Sequence, residues 1–144
     1  ESDATFRILI SPTPLVGPDR ENKADNHSNK TFATEGKELR RFIAAQRDMV
    51  VICGDRHWQY VSVDPETRLR EYSCGPASDE HAGGWSQEDL RPQHQFLRVA
   101  GGFLAVEVVR IDGVPTLFLR HCDVKGNVCY EDRLTSGFSA QVNN

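Results

Sequence analysis

The sequence predicts an α+β fold, and three observations carry that expectation. An amphipathic helical segment feeds a short, continuously apolar strand. A two-strand hairpin follows it. The last third of the chain then changes character, to three β-rich runs separated by turn signals. The helix and its strand make an α/β unit whose next loop lies at the carboxyl edge of a sheet, where ligands are usually bound. The closing runs make an antiparallel meander, and 144 residues suffice for one domain of ordinary size.

Residues 6–10 (FRILI) read as a core strand, ended by Ser11-Pro12-Thr13-Pro14 because proline donates nothing to a ladder. Residues 17–30 are polar and lack apolar periodicity, at a length typical of functional or disordered loops. Thr31 or Thr34 can cap the next helix, and Leu39, Phe42 and Ile43 give it one apolar face at i, i+3, i+4 as it runs to about Gln46. Residues 49–53 (MVVIC) form the buried strand, with Gly54-Asp55-Arg56-His57 after it. Residues 60–63 and 69–74 pair around Asp64-Pro65-Glu66-Thr67, and a second polar loop fills 75–95. The meander strands are expected at 103–111, 116–121 and 128–134. Asp112-Gly113 marks one hairpin turn and residues 123–127 the next. Pro115 points to an edge or a bulge, and the tail after Thr135 reads as polar and loose.

Composition excludes some functions. Net charge is −4, so no basic footprint invites nucleic acid, and no apolar run is long enough to span a bilayer. The chain opens at Glu1, holds its only methionine at Met49 and enters an apolar strand within a few residues. It therefore reads as a piece of something longer. The four cysteines include no CxxC pair. Cys53 reads as a small buried residue. Cys122 and Cys129 flank a turn. A two-residue loop at Lys125-Gly126 would set them opposite each other, whereas a type I turn with a left-handed Gly126 would offset them by one residue.

The sharpest chemical feature is Gly54-Asp55-Arg56-His57. In an extended backbone residues i and i+2 project to one side, so Asp55 and His57 can converge on one metal ion or two neighbouring ones. A carboxylate with an imidazole suits iron, zinc or manganese more than calcium alone. Gly54 permits close approach or an unusual backbone angle. The guanidinium fork of Arg56 can bind phosphate, or only cover the sheet edge. The plainer alternative has Asp55 capping a turn and His57 on the surface. Asp-x-His also opens many metallophosphoesterase domains, but the Gly-Asp and Gly-Asn-His blocks that should then follow are absent downstream. The only later Gly-Asn, Gly126-Asn127, runs into Val128.

The order of segments ISPTPLVGPDR, KADNHSN, LRRFIAA, VVICGDRH and REYSCGPASDEHAGG resembles the C-terminal part of the PhoD-like alkaline phosphatase family, over roughly residues 6–121. Gly54-Asp55-Arg56-His57 matches that branch's closing Gly-Asp-x-His block. The resemblance implies that residues 1–144 are the second half of a calcineurin-like αββα sandwich with a C-terminal meander. It implies a metal-dependent phosphomonoesterase or phosphodiesterase, with Asp55 and His57 as ligands to iron, zinc, manganese or calcium. Asp25, Asn26 and His27 would approach the substrate, His27 as the catalytic candidate and Asp25, Asn26 and Arg56 as binders. The remaining ligand blocks would lie in a missing N-terminal half, and the location would be extracytoplasmic or secreted. The chain departs from the family where a Trp-Asp-Gly-Tyr-like string is common. A polar-loop His such as His27 or His81 serves as well on the surface. His94 and His121 read as structural, and Trp58 and Trp85 as packing residues, although Trp85 could line a cleft. The competing function is a non-catalytic β-rich binding or interaction module.

Overall fold

The computed structural model describes residues 3–139. Strand β1 (Arg7–Ser11) leads through a long loop and a 3-10 turn (Lys30–Phe32) into helix α1 (Ala33–Ala44) and strand β2 (Met49–Cys53). Then come β3 (Gln59–Val63), β4 (Arg70–Cys74), β5 (His94–Arg98), β6 (Gly102–Ile111), β7 (Val114–Asp123) and β8 (Val128–Thr135). The architecture is α+β. One five-stranded mixed sheet has the order β1-β2-β4-β3-β5, and a three-stranded sheet has the order β6-β7-β8. β1 and β2 run parallel from Arg7↔Met49 to Ser11↔Cys53, the crossover expected of a strand–helix–strand unit. β4 lies parallel to β2 and antiparallel to β3, so the hairpin turns back between them.

The layers follow from strand alternation. Val51 faces α1 and packs with Leu15, Ile43 and Leu69. Val50 faces the other way and packs with Tyr72, Leu117, Leu119 and Leu134, which joins the two sheets. A strand buried on both faces needs the continuous apolar run seen in MVVIC. Each such side chain contributes roughly 1.5–3 kcal/mol by leaving water.

Several expectations change. Asn29 caps the 3-10 turn before the helix, its side chain accepting the Thr31 N–H, while α1 itself has Phe32 at its N-cap and, among the described residues, no side-chain cap, so neither Thr31 nor Thr34 fills that role. Phe42 is 68% exposed, leaving Ile43 and Leu39 to face the core. β5 lies at the end of what reads as a polar loop. Pro115 sits in the central strand β7, tolerated because β7 pairs with β8 only from Thr116 onward. Cys122 lies opposite Val128 after a bulge, with Gly126 at φ 89°, so the one-residue offset holds and all four cysteines are free. Residues 136–139 are not loose. The Gly137 N–H and the Ser139 hydroxyl bond to the buried Asp48 carboxylate at 2.7 and 3.1 Å. The rest of the expected tail, 140–144, lies outside the described residues. No helix among the described residues is long and apolar enough to cross a membrane.

Candidate functional site

The carboxyl edge of the parallel strands is where the chemistry-bearing residues gather. Gly54 continues the ladder by donating to the Ser11 carbonyl at 3.2 Å. The chain then breaks sharply at Asp55, whose φ is 65°, and the Arg56 N–H closes back on the Gly54 carbonyl at 2.8 Å. That is a three-residue γ-turn of the rarer, positive-φ kind. The unusual angle therefore falls on Asp55 and not on Gly54, where a Cβ would meet only the Pro12 carbonyl at an ordinary 3.5 Å. A non-glycine residue held there is strained, and such strain clusters at functional sites.

The turn sends Arg56 inward and leaves Asp55 and His57 exposed. The buried Arg56 guanidinium meets three carboxylates: Nη1 is 2.6 Å from Asp55, and Nη2 is 2.7 Å from Asp19 and 3.2 Å from Asp25. The Asn26 amide, also buried, donates to Asp19 at 2.7 Å and Asp25 at 2.9 Å, while its oxygen takes the Ser28 N–H and hydroxyl. Partial desolvation works to raise the Asp25 carboxyl. The Asn26 amide and the Arg56 and Lys23 cations outweigh it and hold Asp25 below its ordinary value.

A second buried carboxylate fastens the loop after β1. Glu71 on β4 accepts the backbone N–H groups of Leu15, Val16 and Gly17 at 2.6, 2.9 and 2.8 Å, and the Tyr60 hydroxyl at 2.8 Å. Burial pushes its pKa up, against the pull of those donors. The fastened loop delivers Asp19 and Arg20 to the site.

Asp55 and His57 line one cleft of about 540 Å³ with Arg20, Lys23, Arg56, Trp58 and residues 80–84. Both long polar loops thus border it, and the Gly83 N–H ties one of them to the His57 carbonyl at 3.0 Å. Trp58 is buried and stacks on Trp85 at 5.4 Å. Arg20 lies over Trp58, 5.5 Å from the ring centroid, and a smaller cleft of about 350 Å³ adjoins through Arg20 and Gly84.

No protein-family model matches the chain, and no curated protein matches it.

The sequence-predicted residues divide into three groups. Asp55, Arg56 and His57 share the cleft. Asp25 and Asn26 stand behind it, joined through Arg56. His27 stands apart from that lining: its ring lies against Phe32, its Nε2 is 3.6 Å from Glu35, and its carbonyl accepts from Arg40. Arg56, expected at a phosphate, has both Nη atoms engaged by carboxylates. His81 and Glu80 do line the cleft, adding two donors of metal-ligand type. Yet among the described residues no three His, Cys, Asp or Glu side chains come together closely enough to hold an ion. The cleft presents ligand types without a complete ligand set. Sequence reasoning missed Asp19, Arg20 and Glu71. A Gly-Pro-Asp-Arg string and a lone carboxylate within the β4 run were the available signals.

Proposed function

We propose that this chain forms one side of a metal-dependent phosphoesterase site, hydrolysing phosphate monoesters or diesters. The observation that supports it is the Asp55–His57 pair, set by a strained turn at the carboxyl edge of parallel strands and bordering a cleft with Arg20, Lys23 and His81. Asp55 and His57 are the two ion ligands this chain would offer. Two ligands do not hold an ion against bulk water, so the others would come from chain outside these residues. In the same reading the two sheets are the second half of an αββα sandwich. The open side of β1, where Ile10 is 79% exposed, suits a further layer of protein.

The test is release of phosphate or alcohol from a generic phosphomonoester and a phosphodiester, with and without added divalent metal. It is run on this chain and on a longer protein carrying it. The longer protein should turn over with metal and the 144 residues alone poorly. In the longer protein Asp55→Asn and His57→Ala should each remove most turnover while leaving the unfolding midpoint in place. Unaffected turnover in the double variant would sink the ligand assignment.

One observation favours a second reading, a non-catalytic binding module: the Asp55 carboxylate is already occupied by Arg56 at 2.6 Å. Metal content separates the two. A longer protein that binds no metal and hydrolyses neither ester is the module.

A further inference from the structure

We propose that Arg20 is the residue that grips the phosphoryl oxygens in this cleft, a role that rests on the phosphoesterase reading for its substrate but not for its geometry.

The case begins with what Arg20 does not do. Among the described residues its Nη atoms have no hydrogen-bond partner. Its Nε is buried without one, the nearest carboxylate oxygen being Asp19 Oδ1 at 3.7 Å. That oxygen already accepts the Arg20 backbone N–H at 2.7 Å, and the other Asp19 oxygen serves Arg56 and Asn26. Arg56 has no such freedom, since three carboxylates surround it. Of the two arginines in the cleft, only Arg20 has its fork to spare.

Arg20 is nevertheless held in place. Its guanidinium lies over the buried Trp58 ring. Gly84 borders both, since a Cβ there would come within 3.1 Å of the Arg20 Nη1 and 3.5 Å of the Trp58 ring, and Gly84 has φ 85°. A glycine there leaves room for the side chain and takes a backbone angle other residues resist. The side chain remains 36% exposed. A guanidinium stacked on an aromatic face, with its donors unused, is preorganised for the bidentate recognition of a tetrahedral oxyanion.

The cleft lining also carries buried donors that no described residue satisfies. Among the described residues three buried donors that lack a partner belong to its lining: Arg20 Nε, Arg56 Nε and Trp58 Nε1. The other unpartnered buried atoms, on Ser62, His94 and His121, belong to residues outside it. Lys23 adds a further cation. Asp55 and Glu80 oppose an anion, although Arg56 balances the first. Buried donors left without a partner call for a ligand rich in oxygen lone pairs.

The probe is inorganic phosphate, titrated against this 144-residue chain with chelator present. Binding is followed by calorimetry and by tryptophan fluorescence, since Trp58 lies beneath Arg20. Wild type should saturate. Arg20→Gln should weaken binding tenfold or more, Arg20→Lys should weaken it several-fold by keeping charge without the fork, and the surface control Arg110→Gln should change nothing. Near-ultraviolet circular dichroism reports whether the Trp58–Trp85 stack survives. If Arg20→Gln loses that signal, Arg20→Lys is the comparison that decides. Phosphate affinity unchanged in both variants, or no saturation by wild type, overturns the proposal. Phosphate binding that depends on Arg20, in a longer protein that hydrolyses no ester, upholds the grip and removes the phosphoesterase reading. Hydrolysis whose KM is unmoved by Arg20→Gln does the reverse.

Discussion

His121 sits buried on β7 with its Nε2 2.8 Å from the Ser73 carbonyl, so Nε2 carries the proton and Nδ1 is left without a partner. Tyr72, Phe96 and Tyr130 surround the ring. Burial holds its pKa down to about 4, helped by the Arg98 charge, and burial likewise holds His94 at about 4. Both are therefore neutral in the folded protein at pH values where the unfolded chain takes up protons. The unfolded state binds more protons between about pH 6.5 and about pH 4, so stability falls as pH falls through that window and levels off below it. The His121 share is on the order of 3 kcal/mol. Urea midpoints at about pH 7 and about pH 4.5 check this. His121→Phe should shrink the difference between them, and an unchanged difference would count against the neutral buried ring. Glu71 acts with the opposite sign, because a raised carboxyl pKa favours the folded state at low pH. The comparison of variants, and not the raw pH profile, is thus the clean readout.

Helix α1 shows how an element can be shaped by one neighbour. A Cβ on Gly36 would stand 2.1 Å from the His27 carbonyl, which no rotamer can relieve, since the clash is with backbone. Alanine is the better helix former by about 1 kcal/mol. Gly36→Ala should nevertheless destabilise the protein by about 2 kcal/mol, as overpacking does, because the loop carrying Asp25, Asn26 and His27 must move. Thermal unfolding measures it, and a rise in midpoint would show that the loop is not packed on the helix as described. Helical periodicity could place Leu39 and Ile43 inward but could not foresee that Phe42, on the same stripe, stays in solvent. β5 was hidden for a related reason. Its HQFLR run is short and mixed, and its pairing with β3 is bulged between Val61 and Ser62.

At the scale of the molecule, α1 covers one face of the five-stranded sheet, the meander covers the other, and β1 is an open edge. Ile8 and Ile10 on that edge are 37% and 79% exposed. Exposed apolar edge strands are sites of association. Ile10→Lys should therefore leave the unfolding free energy within about 0.5 kcal/mol of wild type while lowering light scattering at high protein concentration. A large loss of stability would mean that Ile10 is buried after all, and unchanged scattering would place any association elsewhere.

By itself the sequence determined the α+β class, the MVVIC strand with its helix, the Asp112-Gly113 hairpin and the gathering of both polar loops near Asp55 and His57. These rest on local rules of periodicity, turn chemistry and the carboxyl-edge geometry of parallel strands, and so are legible one segment at a time. Only the tertiary structure decided that Asp55 and not Gly54 takes the positive φ, that Arg56 turns inward onto Asp19, Asp25 and Asp55, and that His27 packs against the helix. It also placed Arg20 over Trp58 and anchored its loop on Glu71, 54 to 56 residues away in the chain. The physical reason is that a charge is spent or free according to what stands within a few ångströms of it. Those neighbours come from segments that only folding brings together.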